Sequence, residues 1–233
     1  MILIPLLVAA ASAAALPAAP EAAMVRFLDL NARAALQGTE GKALLAGELD
    51  RLEVPTFGSL AAPDKIEKIG VGGAVARIPS DASHPDLYFF LTRGPAGWTI
   101  TAIRALALTG IAAEMIRMDE AHPSSDPKVR QAVRNARLTL SPDRELLAWA
   151  AANRPLLDRA RANPDAPGLE AALKQAGGNR AYREGGTIHV SIGGIVDNEV
   201  GFLWTDGKPP AMDPQSYIWI EAAGDGWYLY KTT

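Results

Sequence analysis

The stretch that decides the fold lies at the end of the chain, where residues 187–204 read TIHVSIGGIVDNEVGFLW and residues 216–230 read SYIWIEAAGDGWYLY. It holds three of the five tryptophans and three of the five tyrosines. Apolar and aromatic residues alternate with other types along both runs, which is typical of β-strands with one buried face. We expect four strands here, and any core or binding groove should be built on them.

Glycine and polar residues divide this stretch into strands. Gly193-Gly194 predicts a β-bulge, because paired glycines in a strand relax its pairing. Asp197-Asn198 stands where a two-residue turn is required, and both residue types tolerate a positive φ. Residues 222–226 (AAGDG) return the chain into the last strand. The sequence therefore predicts a four-stranded antiparallel meander, in which each strand pairs with the next.

The aromatic residues of this meander are the candidate binding surface. Residues i and i+2 of a strand share a face, so Tyr217 and Trp219 are expected to point together, as are Tyr228 and Tyr230. One aromatic set fills the core, and the other offers flat apolar surfaces with polar tips to a ligand or partner. The candidate ligand-binding residues are Tyr217, Trp219 and Tyr230. The alternative is a core with ordinary edge tyrosines.

Helical segments precede the meander. Ser141-Pro142-Asp143 is an N-terminal cap signature, Pro155 restarts the helix it opens, and Pro167 opens another. Within residues 111–140, Asp126 is expected to cap a helix that begins at Pro127. That helix has an apolar stripe and a basic side, which either stays in water or meets an anionic membrane or partner. The stripe and the basic side consist of Val129, Val133, Ala136 and Leu140, and of Lys128, Arg130, Arg134 and Arg137.

The first half follows a similar plan. Residues 20–37 and 42–49 have helical spacing, and residues 74–78 and 86–92 form strands. The segment RGPAGWTITAIRAL, residues 93–106, joins residues 86–92 to a returning strand through a glycine-containing turn. We therefore predict an α+β protein of two units, each with helices packed on a curved antiparallel sheet. The divisions are a leader (1–19), unit one (20–110), a joining helix region (111–140) and unit two (141–233).

Unit one resembles the NTF2-like (SnoaL-like) superfamily, on its element order and on the Gly-Trp that follows the turn in RGPAGWTITAIRAL. The resemblance covers about 90 residues and implies an N-terminal helix packed against a strongly curved sheet. Function in that superfamily ranges from isomerase to scaffold, so the resemblance does not imply one activity. The second hairpin also follows its turn with Gly-Trp, and this echo leaves open a duplication or two independent hairpins. The whole chain resembles a secreted bacterial protein.

Residues 1–19 have the pattern of a cleaved secretory signal. An apolar run leads into small residues, and Ala11-Ser12-Ala13 fits a small-x-small cleavage rule. The run is too short to span a bilayer, so we expect no integral membrane segment after cleavage and a periplasmic or secreted location. The alternative is an uncleaved apolar tail or a misassigned start.

Composition excludes several chemistries. The chain has no cysteine, which excludes disulfides, thiolate metal sites and cysteine nucleophiles. Its net charge of −3 shows no basic excess of the kind that nucleic-acid binders carry. With three histidines far apart in sequence and no metal, phosphate-loop or nucleotide motif, we expect no cofactor and no metal. Gly70–Gly73 is a strand-entry turn, because no helix follows it to bind a phosphate.

His189 is the weak catalytic candidate. An imidazole titrates near neutral pH, so His189 could be a general base oriented by Asp197 or Glu199. The alternative is a strand residue with an ordinary neighbour, because no nucleophile stands at a recognisable spacing. His84 and His122 each precede a proline in a polar loop and are expected to have no role.

The sequence alone favours a non-enzymatic secreted or periplasmic binding or interaction protein, with an unknown small molecule or envelope protein as its partner. The first alternative is a small-molecule isomerase or hydrolase that uses an NTF2-like cavity with His189 or Asp197. The second is a purely structural envelope protein.

Overall fold

A computed structural model describes residues 15–52, 54, 57, 60, 65–69, 73–78, 86–106, 109–195 and 198–233. The leader prediction for residues 1–19 therefore lies largely outside the described residues. Within them the fold is α+β, with seven α-helices, a short 3-10 helix (Gly47–Arg51) and nine strands in two antiparallel sheets. The helices are α1 (Pro20–Ala32), α2 (Thr39–Leu44), α3 (Thr109–Ala121), α4 (Pro127–Leu140), α5 (Asp143–Ala152), α6 (Arg154–Ala162) and α7 (Leu169–Gln175). The strands are β1 (Lys65–Ile69), β2 (Gly73–Ile78), β3 (Leu87–Gly94), β4 (Gly97–Arg104), β5 (Arg180–Glu184), β6 (Thr187–Ile195), β7 (Asn198–Trp204), β8 (Tyr217–Gly224) and β9 (Trp227–Thr232).

The first sheet is a four-stranded meander, β1-β2-β3-β4, and both faces are buried along Ala74–Ile78 of β2 and the start of β3. One face packs against α1, α2 and the 3-10 helix, where Phe27 of α1 meets Phe89 of β3 edge to face at 4.9 Å. The other face, including Val75, Tyr88 and Phe90, belongs to the core of the C-terminal half. Burial on both faces explains why the start of β3 is an unbroken apolar run rather than an alternating one.

The second sheet has five strands in the order β5-β6-β7-β9-β8. The predicted four-stranded meander is wrong in two respects. Strand β5 adds a fifth strand before the stretch, and β9 lies between β7 and β8 instead of at an edge. The 12 residues between Trp204 and Tyr217 allow this rearrangement, because a long loop need not join neighbouring strands.

Helix α4 is attached to β6 at the predicted bulge. The register shifts between Ser191 and Gly193, which confirms the bulge, and Gly194 has a φ of +136°. Asn135 donates to the carbonyl of Ile192, and Thr139 Oγ1 accepts from Gly194 N at 3.2 Å. The polar side of α4 is therefore hydrogen-bonded to β6 of the second sheet.

Part of the predicted apolar stripe of α4 does not face β6 but lines a groove between α4 and α3. Val129 and Val133 both contribute to that groove. The expected cap of α4 is confirmed, because the Asp126 carboxylate accepts from Lys128 N at 2.8 Å.

Other predicted helices are confirmed with altered ends. Helix α1 stops at Ala32 rather than at residue 37, and α6 restarts the chain at Arg154, just before Pro155. No helix of the described residues is both long enough and apolar enough to cross a bilayer. The Asp197 turn, the Gly70–Gly72 segment and His84 lie outside the described residues.

Candidate functional site: the Glu199 pocket

A register shift in β8 of the second sheet separates two of the predicted site residues, Tyr217 and Trp219. The register of β8 on β9 shifts between Tyr217 and Trp219, so Tyr217 pairs with Thr232 while Trp219 pairs with Lys231. Thr232 and Lys231 are consecutive strand residues and point to opposite faces. The expectation that Tyr217 and Trp219 point together is therefore wrong, and the cause is a bulge that alternation could not reveal.

Tyr217 and Tyr230 belong to an aromatic cluster with Tyr182 and His189, on the sheet face opposite Trp219. The Tyr182 ring is stacked on His189 with centroids 4.9 Å apart, and His189 meets Tyr230 edge to face at 5.4 Å. Tyr217 meets Tyr230 edge to face at 5.9 Å. Gly201 lies opposite Tyr230 on β7, where a Cβ would lie only 2.9 Å from the Tyr230 hydroxyl. The missing side chain therefore leaves room for the Tyr230 ring.

Glu199 is the polar centre of this cluster. Its Oε2 accepts hydrogen bonds from the hydroxyls of Tyr182 and Tyr230, each at 2.7 Å. Burial, and next the hydrogen bond and charge of Glu199, raise the pKa of Tyr182. Burial and the Glu199 charge also raise the pKa of Tyr230. Both phenols therefore remain protonated donors at neutral pH and fix the carboxylate in place.

Glu199 and Tyr182 line an open polar pocket of about 350 Å³ at the bulge of β6. We call it the Glu199 pocket. Ser191 and the bulge glycines form part of its wall, and Arg180 lies beside Tyr182, with its guanidinium carbon 5.1 Å from the ring centroid. Among the described residues, Oε1 of Glu199 has no hydrogen-bond partner. The full lining is Asn179, Arg180, Tyr182, Ser191, Gly193, Gly194, Asn198, Glu199 and Thr232.

His189 lies behind this pocket rather than in its wall. Its side chain is 3% exposed, and its Nδ1 is buried without a hydrogen-bond partner. Burial lowers the pKa of His189, because a charged imidazole is poorly solvated there, and the imidazole is neutral at pH 7. The nearest carboxylate oxygen that could pair with Nε2 belongs to Glu184, at 4.0 Å. His189 therefore supports the Tyr182 ring and does not line the pocket.

Trp219 belongs to a second, fully different environment between the two sheets. Its Nε1 donates to Glu221 at 3.1 Å, and its ring lies 5.3 Å from that of Tyr88 on the first sheet. Around it lies a group of charged side chains that we call the inter-sheet charge cluster. The cluster consists of Arg77, Asp86, Asp143, Glu221 and Lys231.

Opposite charges in this cluster are paired across the halves of the chain. Lys231 Nζ lies 2.6 Å from Asp143 and 3.2 Å from Asp86. Arg77 pairs with Asp143 and, at 3.0 Å, with Glu221. Four of the five side chains are buried, and each lies in an ion pair, so we assign the cluster to the structure of the core rather than to ligand binding.

Sequence reasoning missed Tyr182, Arg180 and the central place of Glu199. Residues 180–184 read RAYRE, a polar alternation without the apolar face that marks a strand. Among the residues that the structure describes, no three histidine or acidic side chains come together to hold a metal ion. Comparison with models of protein families, with characterised proteins and with solved structures gives no match.

Proposed function

We propose that this chain is a non-enzymatic binding protein of the periplasm or the extracellular space, and that its binding site is the Glu199 pocket. The observation that carries the proposal is the state of the Glu199 carboxylate. Two tyrosine hydroxyls fix Oε2, while Oε1 has no hydrogen-bond partner among the described residues, and Glu199 lines an open pocket. A fixed, partly desolvated acceptor favours a ligand that donates to it.

The lining indicates the chemistry of the ligand. Glu199 requires a hydrogen-bond donor or a cation, and Arg180 requires an acceptor or an anion. Asn179 and Ser191 add neutral polar contacts. The volume of about 350 Å³ is near the lower end for small-molecule pockets. The expected ligand is a small polar molecule with donor and acceptor groups at opposite ends, such as a free amino acid or a monosaccharide.

The aromatic cluster supports this site in a different way from the one the sequence predicted. Tyr230 is 1% exposed and acts through its hydroxyl on Glu199, while Trp219 is fully buried on the other face. Tyr217 is half-buried at the edge of the cluster. Tyr182 therefore replaces Trp219 in the proposed ligand-binding set, with Tyr230 as a positioning residue.

The enzymatic alternative has less support. A general base must come within hydrogen-bond reach of its substrate, and His189 is almost completely buried behind Tyr182. If the protein were purely structural, the Glu199 oxygen that has no hydrogen-bond partner among the described residues would have no role. The resemblance of unit one to the NTF2-like superfamily remains part of the proposal, supported by α1 packed on an antiparallel sheet.

The test is a ligand screen read by thermal unfolding. The purified chain and an E199Q variant are incubated with a panel of free amino acids and monosaccharides, and the unfolding midpoint is measured. A ligand at about 100 times its Kd adds about 2.7 kcal/mol to the free energy of unfolding. We expect at least one compound to raise the midpoint of the wild-type chain and to have little effect on E199Q.

Glu145 is the matched control, because it is an exposed glutamate outside the pocket. E145Q should respond to the ligand as the wild-type chain does. The proposal fails if no compound shifts the wild-type midpoint and native mass spectrometry of the chain from its natural compartment shows no bound small molecule. It also fails if a stabilising compound acts equally on E199Q.

A further inference from the structure

Helix α3 keeps most of its surface in solvent although it is rich in large apolar residues. Only Ala112 of its thirteen residues is buried. Ile111 is 53% exposed and Met118 is 59% exposed, and Val129 of the neighbouring α4 is 40% exposed. Five large apolar side chains are exposed in the described part of the chain. Three of them therefore lie on this one helix pair.

These side chains form a groove between α3 and α4. The groove has a volume of about 580 Å³, and its surface is almost entirely apolar. We call it the α3–α4 groove. Its apolar floor consists of Ile111, Met115, Met118, Val129 and Val133. A contiguous apolar surface of this kind marks an interaction site more often than a bare solvent face.

The two helices that form the groove carry opposite net charge, although the basic residues of α4 are not among those that line it. Helix α3 has Glu114, Asp119 and Glu120 with one arginine, Arg117, which pairs with Glu114, whereas α4 has one lysine and three arginines and no carboxylate. Within one copy, Arg137 pairs with Glu120 at 3.0 Å. Lys128, Arg130 and Arg134 have no carboxylate partner among the described residues, since Arg130 binds the Ser125 carbonyl and Arg134 binds Gln131.

We propose that the α3–α4 groove is the interface of a homodimer, in which α3 of one copy packs against α4 of a second copy about a two-fold axis. In such an arrangement one surface meets itself, so it must be self-complementary. An apolar groove between an acidic helix and a basic helix meets this requirement. An anionic membrane fits less well, because the acidic residues of α3 would be repelled by it.

The size of the face sets the expected affinity. Helices of thirteen and fourteen residues are about 20 Å long, and two side by side are about 20 Å wide. This face is smaller than the roughly 800 Å² per partner of a standard interface. We therefore expect a dimer that forms reversibly, with a Kd in the micromolar range.

The test is sedimentation velocity on the purified chain from about 0.1 μM to about 500 μM, a range that brackets a micromolar Kd. The wild-type chain should pass from monomer to dimer, and M118E should stay monomeric with an unchanged circular dichroism spectrum. V25E is the matched control, because Val25 on α1 is 63% exposed but lies outside the groove. V25E should dimerise as the wild-type chain does.

Charge reversal tests whether α3 of one copy packs against α4 of the other. R130E/R134E and E114K/E120K should each dimerise at least tenfold more weakly alone, and an equimolar mixture should recover a heterodimer. A wild-type chain that stays monomeric over the whole range overturns the proposal. Binding of that monomer to phosphatidylglycerol vesicles would instead assign the basic helix to a membrane. A mixture that stays monomeric, or an M118E variant that still dimerises, overturns the pairing of α3 with α4.

Discussion

Lys231 Nζ lies 2.6 Å from Oδ1 of Asp143, and both side chains are almost completely buried. Lys231 is on the last strand, while Asp143 is the first residue of α5. Asp86, just before β3, lies 3.2 Å from the same ammonium group. A lysine without solvent is tolerated here because two carboxylates replace its water.

Removing this cation should destabilise the chain strongly. K231M leaves Asp86 and Asp143 buried without their shared ammonium group, and we expect a loss of about 3–5 kcal/mol in the free energy of unfolding. Urea unfolding followed by tryptophan fluorescence measures it. R137M is the control, because it breaks an exposed pair with Glu120 and should cost less than about 1 kcal/mol. Equal losses in the two variants would contradict the assignment.

A methyl group at Gly201 should disturb the aromatic cluster. Its Cβ would clash first with the backbone oxygen of Val190, and it would lie 2.9 Å from the Tyr230 hydroxyl and 3.0 Å from a Tyr230 ring carbon. We expect G201A to lose about 1–3 kcal/mol, as overpacked cores do, when urea unfolding is measured. Gly186 is the control, because a Cβ there meets no atom within 4 Å and its φ is unexceptional. A G201A variant as stable as G186A would contradict the crowding of Gly201 by Val190 and Tyr230.

His189 should make stability depend on pH. Burial lowers its pKa in the folded chain, and the smaller opposing effect of Glu199 and Glu184 does not reverse this. Its unfolded pKa is about 6.5. Between the two values the unfolded state binds more protons, so the free energy of unfolding rises with pH. This contribution is fully present above the unfolded pKa and is lost as pH falls through about 6.5 towards the folded pKa.

The comparison of H189Q with the wild-type chain isolates this effect. Urea unfolding between pH 5 and pH 8 should give a flatter profile for H189Q, by at most about 1.4 kcal/mol per pH unit. H122Q is the control, because His122 is exposed beyond the end of α3 and lies outside the aromatic cluster. A wild-type slope in H189Q would exclude the buried imidazole as its source.

The cap of α4 should contribute a measurable part of the stability. Asp126 accepts from Lys128 N at 2.8 Å, and D126A leaves that amide without its partner. We expect D126A to lose about 1 kcal/mol in thermal or urea unfolding. D126N should lose much less, since asparagine caps helices equally well. The cap would be unimportant if alanine and asparagine had the same effect.

Local patterns predicted local structure well. The cap of α4, the bulge at Gly193 and the hairpin of β3 and β4 each depend on a few neighbouring residues, and each is present. The α+β class follows from the same patterns, because helical and alternating segments occupy separate parts of the chain.

Features that depend on contacts between residues far apart in the sequence were not predicted. The bulge between Tyr217 and Trp219 is set by pairing with β9, and the position of β9 beside β7 is set by burial of the whole sheet. Asp143 has the sequence signature of a helix start, but its carboxylate pairs with Arg77, 66 residues away. The aromatic cluster next to the candidate site could be predicted in part, since Tyr217, Tyr230 and His189 were candidates from the sequence and contact one another there. Tyr182 was not, because its strand lacks an apolar pattern.

The inter-sheet charge cluster also constrains when the native structure can form. Lys231 is the third residue from the end of the sequence, and Arg77 and Glu221 are separated by 144 residues. The first half therefore emerges from the ribosome long before the charges that pair with it. Its sheet can form early, but its buried face cannot close until the last strand is synthesised. Completion of the fold is consequently a late event in synthesis, because it requires β9.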